Sequence, residues 1–207
     1  ENWTDEKVLT EMRKFVRNGG GFIGVGEPTA HLQNGKFFQL SDVLGVDKEL
    51  GISLGEDKYN INANSKHFIL DGIDSPVDYG EDKKNIFALD GTNVVDIVFS
   101  DRFIRKVNVG EVKMATNVFG KGRSFYITGL PYSAQNAKLL YRAILWTAGK
   151  EDMDKKSYCT NPLTEAHFYG DRYAITNNTS EKQTTIFYDM DGDAQEITLV
   201  PYEIKWF

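Results

Sequence analysis

Cysteine occurs once, at Cys159, so no intramolecular disulfide can form and a cysteine-based zinc site is excluded. Histidine is nearly as scarce: His31, His67 and His167 are scattered, with no i,i+4 pair and no acidic partner at ligand spacing. They support no metal site and read as surface or packing residues. Positive charge is in deficit as well. A formal net charge of −6 argues against nucleic acid or an anionic membrane as partner, and no basic patch stands out. No signal peptide, transmembrane run or lipidation motif is found, which with the lone cysteine fits a reducing, cytoplasmic setting. The sequence starts at Glu1, within a few residues of a helix and without the strand that a parallel sheet would place before it. This predicts a piece of a longer chain.

What is present is enough apolar surface for a core: 41% hydrophobic and 13% aromatic residues over 207 positions, which suits one medium domain with a small module. Acidic Asp5 and Glu6 follow a candidate N-cap, Thr4, and Val8, Leu9, Met12, Phe15 and Val16 recur at helical spacing. Gly19 closes that helix. The stretch "GGGFIGVGEPTA" then packs five glycines into its first eight residues. Its Gly19, Gly21 and Gly24 satisfy G-x-G-x-x-G, but they precede the buried strand Phe22–Val25 where a dinucleotide fingerprint must follow one. The informative part is the turn Gly26-Glu27-Pro28-Thr29 at the strand's carboxyl end, where open α/β sheets bind ligands.

Further on, Phe37 to Val46 predicts a short helix, and strands are expected from Tyr59, Asn85, Val94, Lys113 and Arg123. Ser133 caps a helix whose Ala137, Leu140, Tyr141, Ile144, Leu145 and Ala148 form an apolar stripe that would lie on the sheet, with Gly149 ending it. After a charged linker, "YAITN", "QTTIFYD", "EITLV" and "YEIKWF" read as short antiparallel strands, with Asp191-Gly192 as a hairpin turn. The expected organisation is an α/β layered domain over residues 1–150 and a small antiparallel β module over 156–207.

Catalytic motifs are sparse. "GKGRS" at Gly120 lacks the four-residue spacing of a P-loop and reads as a hairpin turn. "DMDGDAQE" at Asp189 puts Gly192 inside the acidic triplet and Val200 at the twelfth position, where a calcium loop needs glutamate. The strand-to-helix elbow carries no Ser or Cys, so nucleophilic catalysis is unsupported. The candidate cleft residues are therefore Gly26, Glu27, Pro28 and Thr29, with Glu27 the ionisable group able to bond a sugar hydroxyl.

Two stretches, "GGGFIGVGEPTAHLQNGKFFQLSDVLGVDKELG" and "NVFGKGRSFYITGLPYSAQNAKLLYRAILWTAGKED", resemble the central domain of the lacto-N-biose/galacto-N-biose phosphorylases, and the ending "YAITNNTSEKQTTIFYDMDGDAQEITLVPYEIKWF" is similar to that family's small C-terminal β domain. The resemblance implies a class I glutamine amidotransferase-like, flavodoxin-like α/β fold, similar also to the trimerisation domain of some β-galactosidases. It implies phosphorolysis of β-1,3-linked galactosyl disaccharides, with inorganic phosphate as co-substrate and no other cofactor. The family's acid sits on an N-terminal TIM-type barrel, so no residue of this sequence inherits the catalytic role. The barrel, the disaccharide and a second copy in a homo-oligomer are the implied partners. Gly26-Glu27 in place of a cysteine at the elbow counts against glutaminase activity. The competing readings are an oligomerisation module and a free-standing hydrolase using Glu27 or a histidine.

Overall fold

A computed structural model describes residues 5–33, 36–49, 66–71, 73, 76–81, 83, 85–100, 109–154 and 156–207, without the side chains of 31–33, 36, 99, 100, 109 and 110. The strand expected from Tyr59 and the N-cap Thr4 lie outside them. The elements are α1 (Glu6–Arg17), β1 (Gly21–Val25), β2 (Ala30–Gln33), β3 (Lys36–Phe38), α2 (Ser41–Leu44), β4 (Val46–Lys48), β5 (Ile86–Ala88), β6 (Asn93–Ser100), β7 (Val109–Phe119), β8 (Gly122–Ile127), α3 (Ala134–Ala148), β9 (Tyr158–Cys159), β10 (Thr164–Tyr169), β11 (Arg172–Asn177), β12 (Gln183–Tyr188), β13 (Ala194–Leu199) and β14 (Ile204–Trp206). They form two compact units, Glu1–Pro131 with Trp146–Gly149 and Tyr132–Leu145 with Lys150–Phe207.

The layered, flavodoxin-like α/β domain expected from the sequence is not what forms. The first unit is built on a four-stranded sheet of order β1-β8-β7-β6, in which only β1 and β8 run parallel. The β7–β8 and β6–β7 pairs are antiparallel, and two further two-stranded sheets, β2–β3 and β4–β5, are antiparallel too. A doubly wound sheet needs a crossover helix between successive parallel strands. Among the described residues between β1 and β8, the α-helix is only α2, four residues long.

Local sequence explains the pieces. Asp5 caps α1 by accepting the Lys7 N–H, and the helix ends in a Schellman pair, with Gly19 N–H donating to Val16 and Gly20 N–H to Phe15. The buried face of α1 is narrower than its apolar pattern: Leu9 and Val16 are buried, whereas Val8 and Phe15 are exposed. The helix expected over Phe37–Val46 shrinks to α2 between two strands. Gly45, in the left-handed region at φ 75°, closes α2 after one turn and sends Val46 into β4. β8 is central in its sheet and buried along most of its length, so Phe125, Tyr126 and Ile127 run together without alternation, and buried Ser124 donates its hydroxyl to the Val43 carbonyl. Gly120-Lys121 is indeed the hairpin turn into it.

In the second unit, β10-β11-β14 and β13-β12-β9 are three-stranded antiparallel sheets over a shared core of Ile175, Phe187, Ile197 and Leu199. β12 alternates, with Thr185 and Phe187 inward and Thr184 and Ile186 outward. Asp189 accepts N–H bonds from Asp191, Gly192 and Asp193, so the acidic stretch is a hairpin loop organised by its own carboxylate. Arg142 of α3 and Asp154 form a buried bidentate pair at 2.9 and 3.0 Å.

The α3 face also needs correction. Buried positions are Asn136, Leu139, Arg142, Ala143, Leu145 and Thr147, while Ala137, Ile144 and Ala148 of the expected stripe are exposed. Apolarity alone misplaced the face because two polar residues on it, Asn136 and Arg142, are taken inside.

Candidate functional site

Glycine spacing in the opening stretch follows from packing. Gly19 is the helix cap, and a Cβ on Gly21 would stand 2.9 Å from the Thr147 carbonyl oxygen. One on Gly24 would stand 2.8 Å from Leu44 Cδ2 and 2.9 Å from Pro28 Cγ. Close approach of neighbours accounts for Gly21 and Gly24, and the positive φ of 115° at the helix end accounts for Gly19. Gly120, whose added Cβ would meet the Arg17 carbonyl oxygen at 2.7 Å, is explained in the same way.

The turn beyond β1 is tightly specified. Gly26 takes φ 71°, donates its N–H to Ile127 O at 2.9 Å and accepts the Tyr126 hydroxyl at 2.8 Å. Burial, aided by the Glu27 charge, pushes the Tyr126 phenol far above its ordinary value, which keeps it a donor. Thr29 holds a left-handed conformation, φ 56°, that a β-branched residue seldom adopts. Two bonds impose it: Thr29 O accepts the Gln39 N–H and Thr29 Oγ1 the Leu40 N–H.

Glu27 is ion-paired with Lys48 through Oε1, and the Lys48 ammonium also lies 5.2 Å from the Phe37 ring centre. Next to Lys48, buried Asp47 accepts the backbone N–H groups of Phe37, Phe38 and Lys48, fixing β3 against β4. Thr128, just past β8, is buried with its Oγ1 unpartnered, and its carbonyl accepts the Lys83 N–H. Gly26, Glu27, Pro28 and Thr29 thus sit at the carboxyl end of the parallel β1–β8 pair as expected, and Lys48, Asp47, Tyr126 and Thr128 join them. Sequence reading missed these four. Tyr126 stands in the apolar run Phe125–Ile127 that marks a buried strand; nothing in "VDK" marks Lys48.

Other candidates are dispersed. His67 Nδ1 accepts the Ile69 N–H, its ring meeting Trp146 edge-on, and His167 pairs with Glu165 at 3.4 Å in the other unit. The His31 side chain lies outside the described residues. The Cys159 thiol is buried, and burial pushes its pKa up against the lowering effect of bonds to Thr164 and Thr185, so it is not poised as a nucleophile. Among the described residues no group of three His, Cys, Asp or Glu side chains could hold a metal ion, and no helix is long and apolar enough to cross a membrane.

The chain superposes on a beta-galactosidase from Rahnella sp. R3 with a TM-score of 0.59 at 18% identity, covering 97% of this chain and 30% of that one. Identity that low speaks for the fold alone, and it replaces the amidotransferase-like expectation.

Residues 1–152 match the lacto-N-biose phosphorylase central domain and residues 158–207 the lacto-N-biose phosphorylase C-terminal domain, so the chain belongs to the lacto-N-biose phosphorylase family. It is 45% and 42% identical, over 99% of its length, to two 1,3-beta-galactosyl-N-acetylhexosamine phosphorylases of Lachnoclostridium phytofermentans, Cphy3030 and Cphy0577. The chain spans 27% of each relative.

Proposed function

We propose that residues 1–150 and 156–207 serve as the central and C-terminal domains of a cytoplasmic phosphorylase acting on β-1,3-galactosyl-N-acetylhexosamine disaccharides. Inorganic phosphate attacks the anomeric carbon of galactose and the bond to the hexosamine oxygen breaks. The products are α-galactose 1-phosphate and free N-acetylhexosamine, with inversion. A carboxylic acid must protonate the leaving oxygen while phosphate takes the place of the activated water of an inverting hydrolase. That acid comes from an N-terminal TIM-type barrel, phosphate is the co-substrate with no further cofactor, and the enzyme works as a homo-oligomer. The observation that carries this reading is the 45% identity to a phosphorylase across 99% of the chain.

Within that enzyme the Gly26–Thr29 turn borders the cleft. Lys48 fixes the Glu27 carboxylate through Oε1, and Oε2 has no partner among the described residues, which suits it to accept a substrate hydroxyl without taking part in proton transfer. The test joins this chain to the N-terminal region of the Cphy3030 relative and follows phosphate-dependent release of galactose 1-phosphate from galacto-N-biose. The joined protein should turn over and the 207-residue chain alone should not. Glu27→Gln in the joined protein should lower kcat/KM about ten- to a hundredfold, as for a group that supports substrate without reacting. Turnover by the chain alone, or unchanged kinetics in Glu27→Gln, would refute the corresponding half.

A further inference from the structure

Alternation along β10 sends Ala166 and Phe168 into the core of the second unit and leaves Glu165, His167 and Tyr169 on the opposite face. The strand registers fix their neighbours. His167 lies opposite Ala174 and Ala174 opposite Trp206; in the next row Glu165 lies opposite Thr176 and Thr176 opposite Ile204; Tyr169 faces Arg172. The Tyr169 and Trp206 rings are 5.6 Å apart, tilted by 42°, and 61% and 58% exposed. Ala174 and Thr176 form a buried floor beside them. Rings this large, paired on a solvent face, mark a surface meant to meet something.

We propose that this outer face of the β10-β11-β14 sheet binds a pyranose ring of a neutral glycan. The charge on the rim selects the occupant: one carboxylate (Glu165), one guanidinium (Arg172) and the imidazole of His167, which pairs with Glu165 at 3.4 Å. Such a balanced rim complements neither a polyanion nor a polycation, but offers donors and acceptors to a ligand rich in hydroxyls. The apolar element is two flat rings. Their negative faces attract the partly positive C–H bonds along one side of a sugar, while its hydroxyls reach the rim. The site is in the other unit from the Glu27 turn, so it stands independently of the phosphorolysis reading.

The experiment titrates galacto-N-biose, and separately lactose, into the full 207-residue chain, with saturation-transfer NMR and tryptophan emission as readouts. Saturable binding is expected with a Kd on the order of millimolar. Trp206→Ala should weaken it about tenfold and Tyr169→Ala about threefold, Trp206→Phe should keep part of it, and Ile186→Ala, exposed on the other sheet, should bind as the parent does. Far-UV circular dichroism checks that each variant is folded; if Trp206→Ala is not, Trp206→Phe and Tyr169→Ala decide. Absence of saturation by either sugar up to about 50 mM, or binding indifferent to both aromatic positions, overturns the proposal. Loss in Glu27→Gln alone would place sugar at the turn and overturn it while leaving the phosphorolysis reading intact. Self-association that Trp206→Ala abolishes, with no sugar effect, would assign the face to a second copy and overturn it as well.

Discussion

The two units use opposite means to hold their strands. In the first, the central pairing is non-local: the Tyr126 hydroxyl reaches the Gly26 carbonyl across 100 residues of sequence, and buried Asp47, the Lys48–Glu27 pair and the left-handed Thr29 cluster near that contact. In the second, neighbouring strands join through short hairpins, and an aromatic stack of Phe168, Tyr173, Phe187 and Phe207 fills the core. Backbone strain and partly buried charge cost stability, and at this turn the bonds to Thr29 and the Lys48 partner of Glu27 offset that cost. The β unit keeps its unusual feature on the outside, as exposed aromatics.

The contrast can be broken from the core outward. Phe187→Ala should remove the most buried ring of the aromatic stack and cost about 3–5 kcal/mol in urea unfolding, because a fully buried ring leaves a cavity that two small sheets cannot close. A loss under about 1 kcal/mol would mean that this core is not what holds the second unit.

Asp47→Ala should cost about 2–4 kcal/mol in the first unit, since the N–H groups of Phe37, Phe38 and Lys48 lose a buried acceptor. Asp47→Asn, which keeps an acceptor oxygen, should recover part of this. Equal losses for both variants would show that charge, not hydrogen bonding, does the work there.

On α3, Leu139→Ala should cost about 2–5 kcal/mol and Ile144→Ala under about 1 kcal/mol, because the first side chain is fully buried and the second 49% exposed. The reverse order would restore the face read from apolarity.

The smallest effect concerns pH. Burial is the main cause that pushes the Tyr158 phenol up to about 12, with nearby Arg142 acting against it. A folded value above the unfolded one of 10 means that the contribution is complete below pH 10 and is lost as pH rises from there through about 12. Spectrophotometric titration should show several tyrosines ionising late, Tyr126 after Tyr158, and Tyr158→Phe should remove the step near 12 while leaving the later one. Loss of stability beginning below pH 8 would have to come from another group.

Much of the fold was legible where periodicity is local. The α1 and α3 spans, the Gly120-Lys121 and Asp191-Gly192 turns and strands β6 to β8 follow from spacing, caps and turn residues, because those preferences act within a few positions of one another. The position of the Gly26–Thr29 turn at the end of a strand was legible for the same reason, but the strand expected to be buried is an edge strand with Gly21 and Val25 exposed. Tertiary structure decided the rest. Whether β8 has parallel or antiparallel neighbours depends on residues about a hundred positions away, and apolar runs read alike in both. The buried face of α3 depended on Asn136 and Arg142 being taken inside, and the partner of Glu27 on how β4 meets the turn. Hydrophobic pattern states that a residue has an inside to go to; only the packed chain states which residue waits there.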